Sequence, residues 1–419
     1  MKAGIRIFSG FTLIAGALGA GVLLGAMPPG HPGAGGRLAD STGSRPAPPV
    51  DNGLALTPPM GWNSWNHFGC NVSSELIRET ADAMVASGMK DAGYRYVVID
   101  DCWQVARTPD GQIVADSTRF PEGMKALADY VHSKGLKFGL YTDAGRRTCQ
   151  GRPGSYQHEQ QDARTYAAWG VDYVKVDWCN SQGLDARTRY AVFRDALANS
   201  GRGIVFSICE WGSNQPWVWG PETGNLWRTT GDISDRWESV LSILDRSSQY
   251  WVSARPGAWN DPDMLEVGNG GMTNDEYRAH FSLWAIMAAP LMAGNDLREM
   301  TADTRRARAT RAILTNEEVI AVDQDSLGVQ GRLVQNYPPE LQVWAKPLAD
   351  GSTAAVLFNR ASVPTPIAVS FRSLGLRTDS ATVRDLWSHQ DKGTFGRRYG
   401  DMVPSHGVVM VKVTPKSER

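Results

Sequence analysis

The run YVKVDWCN, Tyr173 to Asn180, places Lys175 and Asp177 inside an otherwise apolar strand pattern. Successive side chains of a strand point to opposite faces, so Tyr173, Lys175 and Asp177 share one face and Val174 and Val176 the other. Valines towards a helical layer and charges towards the opposite side is the pattern of a strand ending at the mouth of a parallel barrel. Seven further short apolar runs flank it: MGWNSW (60–65), YRYVVIDDCW (94–103), KFGLYTDAG (137–145), IVFSICEWG (204–212), NLWRTTGDI (225–233), AWNDPDML (258–265) and PLMAGND (290–296). Amphipathic helix patterns lie between them, such as SSELIRETADAMVASGMKDAG (73–93) and NDEYRAHFSLWAIMAA (274–289). Eight strands, each followed by a helix or long loop, predict a (β/α)8 TIM barrel over residues 54–326. An open doubly wound sheet would carry a Gly-rich phosphate turn after its first strand, and MGWNSW has none.

Beyond Gln324 the helical period gives way to short alternating runs, LQVWAKPL, STAAVLFN, IAVSF, ATVRDLW and GVVMVKVT, broken by Pro, Gly and Asp. They predict a small antiparallel β-sandwich over residues 327–419. A chain of 419 residues is too long for one core, which agrees with two domains. Lys plus Arg number 43 against 44 Asp plus Glu, a balance that argues against nucleic acid or an anionic membrane as partner. The 15 tryptophans suit a core, and also suit stacking on the apolar faces of sugars.

The first 26 residues read as a secretory signal, with Lys2 and Arg6 ahead of an apolar run from Ile7 to Ala26 that ends in Gly25-Ala26. Residues 27–53 read as a Pro/Gly/Ser-rich linker with nothing to bury. An exported chain invites disulfides, and the five cysteines are Cys70, Cys102, Cys149, Cys179 and Cys209. One of them must stay unpaired.

Residues at the C-terminal strand ends build the active site of such a barrel. Here they are Asp100-Asp101, Tyr141 and Asp143, Lys175 and Asp177, Glu210, Arg228 and Asp232, Asp261 and Asp263. Carboxylates ending six strands of one barrel repel unless a ligand or metal orders them. A zinc site would want several histidines, yet only His67 comes near these ends and no HExxH occurs. A carboxylate-only Mg²⁺ site, a Schiff-base lysine at Lys175 and glycoside hydrolysis by two carboxylates remain open at this point. No GxSxG elbow or Walker A loop is present, and GALGAG (16–21) is signal composition rather than a nucleotide site.

PPMGWNSWNHFGC, VVIDDCW, GLYTDAG, YVKVDWC, WRTTGDI and WNDPDML, in that order, make the chain resemble the family-27 glycoside hydrolases. These are the α-galactosidase (melibiase) group of retaining enzymes, and the likeness runs from about Leu54 to the C-terminus. The resemblance implies Asp177 as nucleophile and Asp232 as general acid/base. It further implies Asp100 and Asp101 as partners of a galactose 4-OH and 6-OH, Lys175 as a binding cation for the 3-OH and 4-OH, and Arg228 on the 2-OH side. Trp65, Tyr141, Trp211 and Asp263 would be further pocket walls. The pairs Cys70–Cys102 and Cys149–Cys179, with Cys209 free and buried, follow from the same pattern.

Electrostatically, Lys175 is expected to lower the pKa of Asp177, while neighbouring carboxylates raise that of Asp232 against Arg228. Glu210 and Trp211 in CEWGSN suit a free 2-OH rather than a 2-acetamido group, and the intact Asp100-Asp101 pair suits a 6-CH₂OH. These features set α-galactoside ahead of α-N-acetylgalactosaminide and β-L-arabinopyranoside. Because both carboxylates are present, hydrolysis ranks ahead of a non-catalytic sugar-binding barrel. No cofactor, metal or nucleic-acid partner is expected. The substrate is a small-molecule or polysaccharide galactoside, and the oligomeric state stays open.

Overall fold

The computed structural model describes residues 50–416 apart from 337 and 339. The signal and most of the linker expected over residues 1–53 therefore lie outside the described residues. Residues 50–53 are packed against the barrel: the Val50 N–H donates to the Pro221 carbonyl, and the Asn52 and Asn225 side-chain amides exchange hydrogen bonds of 3.0 and 3.1 Å.

Eight parallel strands form the first sheet: β1 (Met60–Asn63), β2 (Tyr96–Ile99), β3 (Lys137–Asp143), β4 (Tyr173–Asp177), β5 (Val205–Cys209), β6 (Leu226–Arg228), β7 (Trp259–Asp261) and β8 (Leu291–Ala293). Their order is β8-β1-β2-β3-β4-β5-β6-β7, and a bridge between Leu265, just past β7, and Ala293 of β8 closes the ring. Each strand expected from the sequence is present and shorter than its motif. The residues beyond each strand end have turned into loops, where they can face a ligand.

Helices α1 (Ser74–Ala86), α2 (Gly123–Ser133), α3 (Glu159–Trp169), α4 (Ala186–Ala198), α5 (Trp237–Ser247) and α6 (Asn274–Ile286) cover the sheet. The β5-to-β6 crossover is reduced to the single turns Pro216–Trp219 and Gly220–Glu222. Helix α6 starts at a full capping box, with Thr273 accepting from Glu276 N–H and the Glu276 carboxylate accepting from Thr273 N–H. Two more helices, α7 (Arg305–Leu314) and α8 (Glu317–Asp323), follow β8.

The second domain has eight strands: β9 (Arg332–Asn336), β10 (Leu341–Pro347), β11 (Thr353–Asn359), β12 (Thr365–Ser370), β13 (Ser380–Asp385), β14 (Gln390–Gly396), β15 (Arg398–Val403) and β16 (Val408–Pro415). Six form the antiparallel sheet β9-β10-β11-β16-β13-β14, and β12 pairs with β15 in a second. Alternation along β11 sends Ala354, Val356 and Phe358 into the barrel's core and Ala355 and Leu357 into the core between the two sheets. Both faces are therefore buried, which is why STAAVLFN reads as a near-continuous apolar run.

The domains are also pinned by polar contacts. Arg384 of β13 makes a two-pronged bond to Glu318 of α8 at 2.6 and 2.7 Å, and Arg360 does the same to Asp245 of α5 at 2.8 and 2.9 Å. The fully buried Lys346 ammonium donates to the Val322 and Asp323 carbonyls. Truncating the sandwich would expose the barrel-facing side of this shared core.

Candidate active site

Register along the parallel strands sets the levels of the site. Tyr141 is paired with Lys175, Asp143 with Asp177, Asp177 with Cys209, and Arg228 with Asp261. Lys175 and Asp177 project to the inner face as the alternation predicts, while Val174 and Val176 are fully buried in the core. A pocket with about 410 Å³ of empty volume opens above them. It gathers Trp65, Asp100, Asp101, Tyr141, Lys175 and Asp177 from the first half of the barrel, and Trp211, Arg228, Asp232 and Asp263 from the second. Asn66 and Cys149, which the sequence reading missed, line it too. Each adjoins a residue that was found: Asn66 follows Trp65, and Cys149 is bonded to Cys179 beside Asp177.

Glu210 is a correction. It is fully buried and does not line the pocket; its Oε2 accepts the backbone and side-chain N–H of Asn214 at 2.6 and 2.7 Å. The turn after β5 explains the difference. Trp211 adopts φ +60° and Gly212 φ +78°, a path that turns Trp211 to the pocket and folds Glu210 beneath it. A Cβ at Gly212 would collide with the Thr229 carbonyl, so only glycine closes this turn. Burial pushes the Glu210 carboxyl up to about 7 against the Asn214 bonds.

Around Asp177, the Tyr141 hydroxyl donates to Oδ2 at 2.8 Å and the Trp178 N–H donates to Oδ1 at 3.0 Å. The Cys149 sulfur lies 3.3 Å from Oδ2. Both expected disulfides are formed, Cys70–Cys102 and Cys149–Cys179, and Cys209 is free and buried. Asp143, Cys149, Asp177 and Cys179 bring four ligand-type atoms within 4.8 Å, but the two sulfurs are bonded to each other and offer no thiolate.

Lys175 donates to Asp100 Oδ2 at 2.9 Å, and Asn63 donates to the same oxygen at 2.7 Å. Burial works against the Lys175 charge, but Asp100 and its neighbours outweigh it and hold the ammonium well above its usual pKa. A Schiff-base lysine needs a neutral amine, so this environment favours a binding cation. Arg228, 2 % exposed, donates to Asp232 Oδ1 and pairs with Asp263 Oδ2, both at 3.0 Å.

The two candidate carboxyls titrate against the sequence expectation. Burial raises Asp177 to about 6, although Lys175 and Tyr141 hold it down. Burial also raises Asp232, but Arg228 and Lys175 win and leave it below its ordinary value. The strand pattern places Lys175 beside Asp177 correctly; it carries no measure of desolvation, and desolvation decides the sign.

A closed barrel that presents two such carboxyls, a fixed cation and aromatic walls in one polar pocket is a glycoside hydrolase. Residues 57–325 match the family described as alpha galactosidase A, and residues 339–413 match the alpha galactosidase C-terminal beta sandwich domain. The chain belongs to this melibiase family, family 27 of the glycoside hydrolases. It is 50 % identical over 381 residues to Alpha-galactosidase 2 of Arabidopsis thaliana, covering 90 % of this chain and 94 % of the relative. It is also 50 % identical over 385 residues to Alpha-galactosidase A of Cellvibrio japonicus, covering 87 % and 93 %. Alpha-galactosidase I from Mortierella vinacea superposes with a TM-score of 0.83 at 38 % identity, over 88 % of this chain and all 100 % of that one.

Proposed function

We propose that the enzyme hydrolyses terminal α-D-galactosyl residues by double displacement, with Asp177 as nucleophile and Asp232 as general acid and then base. The observation that carries this reading is the shared pocket, where both carboxyls stand around the Lys175–Asp100 pair. Asp177 attacks the anomeric carbon while Asp232 protonates the departing oxygen; a water activated by Asp232 then releases the sugar with its configuration retained. Asp100, Asp101 and Lys175 are proposed to hold the sugar's 3-, 4- and 6-hydroxyls. Arg228 holds the 2-OH side, and Trp65, Tyr141, Trp211 and Asp263 complete the walls.

The substrate is read from the pocket rather than from the fold. With Glu210 turned away, the bulk of Trp211 carries the case for a free 2-OH. In a panel of 4-nitrophenyl α-galactoside, α-N-acetylgalactosaminide, β-L-arabinopyranoside and α-glucoside, the α-galactoside leads in kcat/KM by at least roughly tenfold, ~1.4 kcal/mol. Preference for the N-acetyl sugar would overturn the role of Trp211. Preference for the arabinoside would overturn that of Asp100-Asp101.

The pH dependence follows from the pair. Below the depressed pKa of Asp232 both groups are protonated; above about 6 both are ionised and no acid remains. The productive form, Asp177 ionised and Asp232 protonated, is a minority tautomer of the singly protonated pair. A plot of kcat/KM against pH is therefore bell-shaped, with an alkaline limb near 6 and its maximum below that value. An activity that climbs through neutral pH would contradict this electrostatic reading.

Export is the proposed location. Its support is the signal pattern of residues 1–26 and the two disulfides, which persist in oxidising compartments. Among the described residues no helix is long and apolar enough to cross a membrane.

A further inference from the structure

Asp143 ends β3 level with Asp177, yet it is fully buried and does not line the pocket. Both of its oxygens are taken by backbone: Oδ1 accepts the Gly145 N–H at 2.6 Å and Oδ2 accepts the Cys179 N–H at 2.8 Å. The geometry points to Asp143 as a positioning residue for the nucleophile, clamping the chain just past Asp177 so that its carboxylate stays aimed at the anomeric carbon. The inference rests on the reading of Asp177 as nucleophile and adds a residue to that machinery.

The clamp acts through two successive peptide groups. The group joining Asp177 to Trp178 offers its carbonyl to the Ala144 N–H at 2.9 Å and its own N–H to Asp177 Oδ1 at 3.0 Å. The orientation of that group therefore sets the hydrogen bond on Oδ1, while the Tyr141 hydroxyl serves Oδ2. The next group, from Trp178 to Cys179, is held by Asp143 through the Cys179 N–H. With both groups fixed, Trp178 has little freedom to turn its N–H away from the nucleophile.

Packing enforces the same register. A Cβ at Gly145 would collide with the Cys179 carbonyl and crowd Asp143 Oδ1, so only glycine lets the two strand ends close on each other. One step further on, the Arg146 N–H donates to the Asn180 carbonyl at 3.3 Å. The Cys149–Cys179 disulfide ties Cys179 by its side chain, and Asp143 ties it by its backbone.

A carboxyl suits this task because both of its oxygens accept, whereas an asparagine would turn its amide onto one of the two N–H groups. Burial, then repulsion from Asp177, raise Asp143 to about 9 against the two backbone bonds, and Asp101 adds to the repulsion. The protonated group keeps acceptor capacity on both oxygens. The clamp therefore persists through acid and neutral pH without a second negative charge beside the nucleophile.

The test is Asp143→Asn in the full chain. It reads kcat for 4-nitrophenyl α-galactoside, normalised to the folded fraction from thermal melting, and the inhibition constant of free galactose. One N–H loses its acceptor, the group before Trp178 is released to rotate, and kcat falls at least roughly tenfold. The galactose constant stays within about twofold, because the residues proposed to hold the hydroxyls keep their own contacts. A weaker Trp178 bond disfavours the Asp177 carboxylate, so the alkaline limb of kcat/KM stays at about 6 or moves above it. If Asp143→Asn fails to fold, Gly145→Ala forces the same two segments apart with the carboxyl intact and gives the same split. Three results overturn the clamp: a normalised kcat equal to that of the intact enzyme, a galactose constant that weakens in step with kcat, or an alkaline limb displaced to lower pH. The last would make Asp143 a charged neighbour whose removal stabilises the Asp177 carboxylate. Full turnover by Asp177→Gly would instead sink the nucleophile reading, and this inference with it.

Discussion

Asp177→Gly abolishes turnover, with kcat on 4-nitrophenyl α-galactoside falling by at least roughly 10⁴-fold. The loss is this large because no neighbouring group can take over as nucleophile. Tyr141 is held protonated by burial and by Asp177 itself, Cys149 is locked in a disulfide, and burial keeps the Cys209 thiol neutral. Deleting the carboxylate opens space directly under the anomeric carbon. Added azide then attacks from that face, opposite the leaving group, and the product is β-galactosyl azide. The intact enzyme, displacing twice, gives α-galactose first, and proton NMR of the early reaction reads this before mutarotation. An initial β-galactose product from the intact enzyme removes Asp177 from the nucleophile's role. Trapping of substrate on Lys175 by borohydride would do the same in favour of a lyase, although the Lys175 ammonium is fixed at 2.9 Å from Asp100.

The barrel was legible because its eight strands each carry a short apolar run that ends in a polar motif. The inward direction of Lys175 and Asp177 was legible for a simpler reason, the two-residue period of a strand. The same period accounts for Glu210: Cys209 lies level with Asp177 on the inner face, so Glu210, one residue past β5, turns away from the pocket, and only its place at a strand end had put it in the site. In the β-sandwich, β10 and β16 were readable from alternating apolar residues and β11 from its near-continuous apolar run. The edge strand β14 (QDKGTFG) was not, since its side chains face solvent and its pattern is polar. The pKa order of Asp177 and Asp232 was read backwards, as spacing names neighbours but gives neither burial nor the reach of Arg228.

That reversed order has a mechanistic consequence. A carboxylate held at about 6 by burial is a stronger base than a solvated one and so a better nucleophile once ionised. Arg228 tethers Asp232 at 3.0 Å and costs it proton affinity in the open pocket. A leaving group that covers the exposed face of Asp232 strips water from it and raises its pKa where the proton is needed. Substrates whose leaving group covers Asp232 therefore gain in protonation of the acid as well as in contact. A small aryl leaving group, which needs less protonation, gains little from either.

Asp232→Gly is expected to separate these effects. Glycosylation of Asp177 still proceeds when the leaving group is good, so 4-nitrophenyl α-galactoside keeps the larger part of its first step. A sugar leaving group does not, and kcat/KM for melibiose, a galactose α-1,6-linked to glucose, falls roughly 10²- to 10⁴-fold further. Azide needs no general base and intercepts the covalent intermediate from the opposite face, giving α-galactosyl azide. The pH profile changes shape as well. With one carboxyl left to titrate, kcat/KM for the aryl substrate no longer falls above about 6; it rises through the pKa of Asp177 and levels off. A melibiose loss no greater than the aryl loss, with the bell-shaped profile intact, would place the acid elsewhere. Glu210 cannot be that group, since its carboxylate is buried beneath the pocket and bound to Asn214. Asp263 is poorly placed as well, because its Oδ2 accepts from the Ile233 N–H and pairs with Arg228 at 3.0 Å.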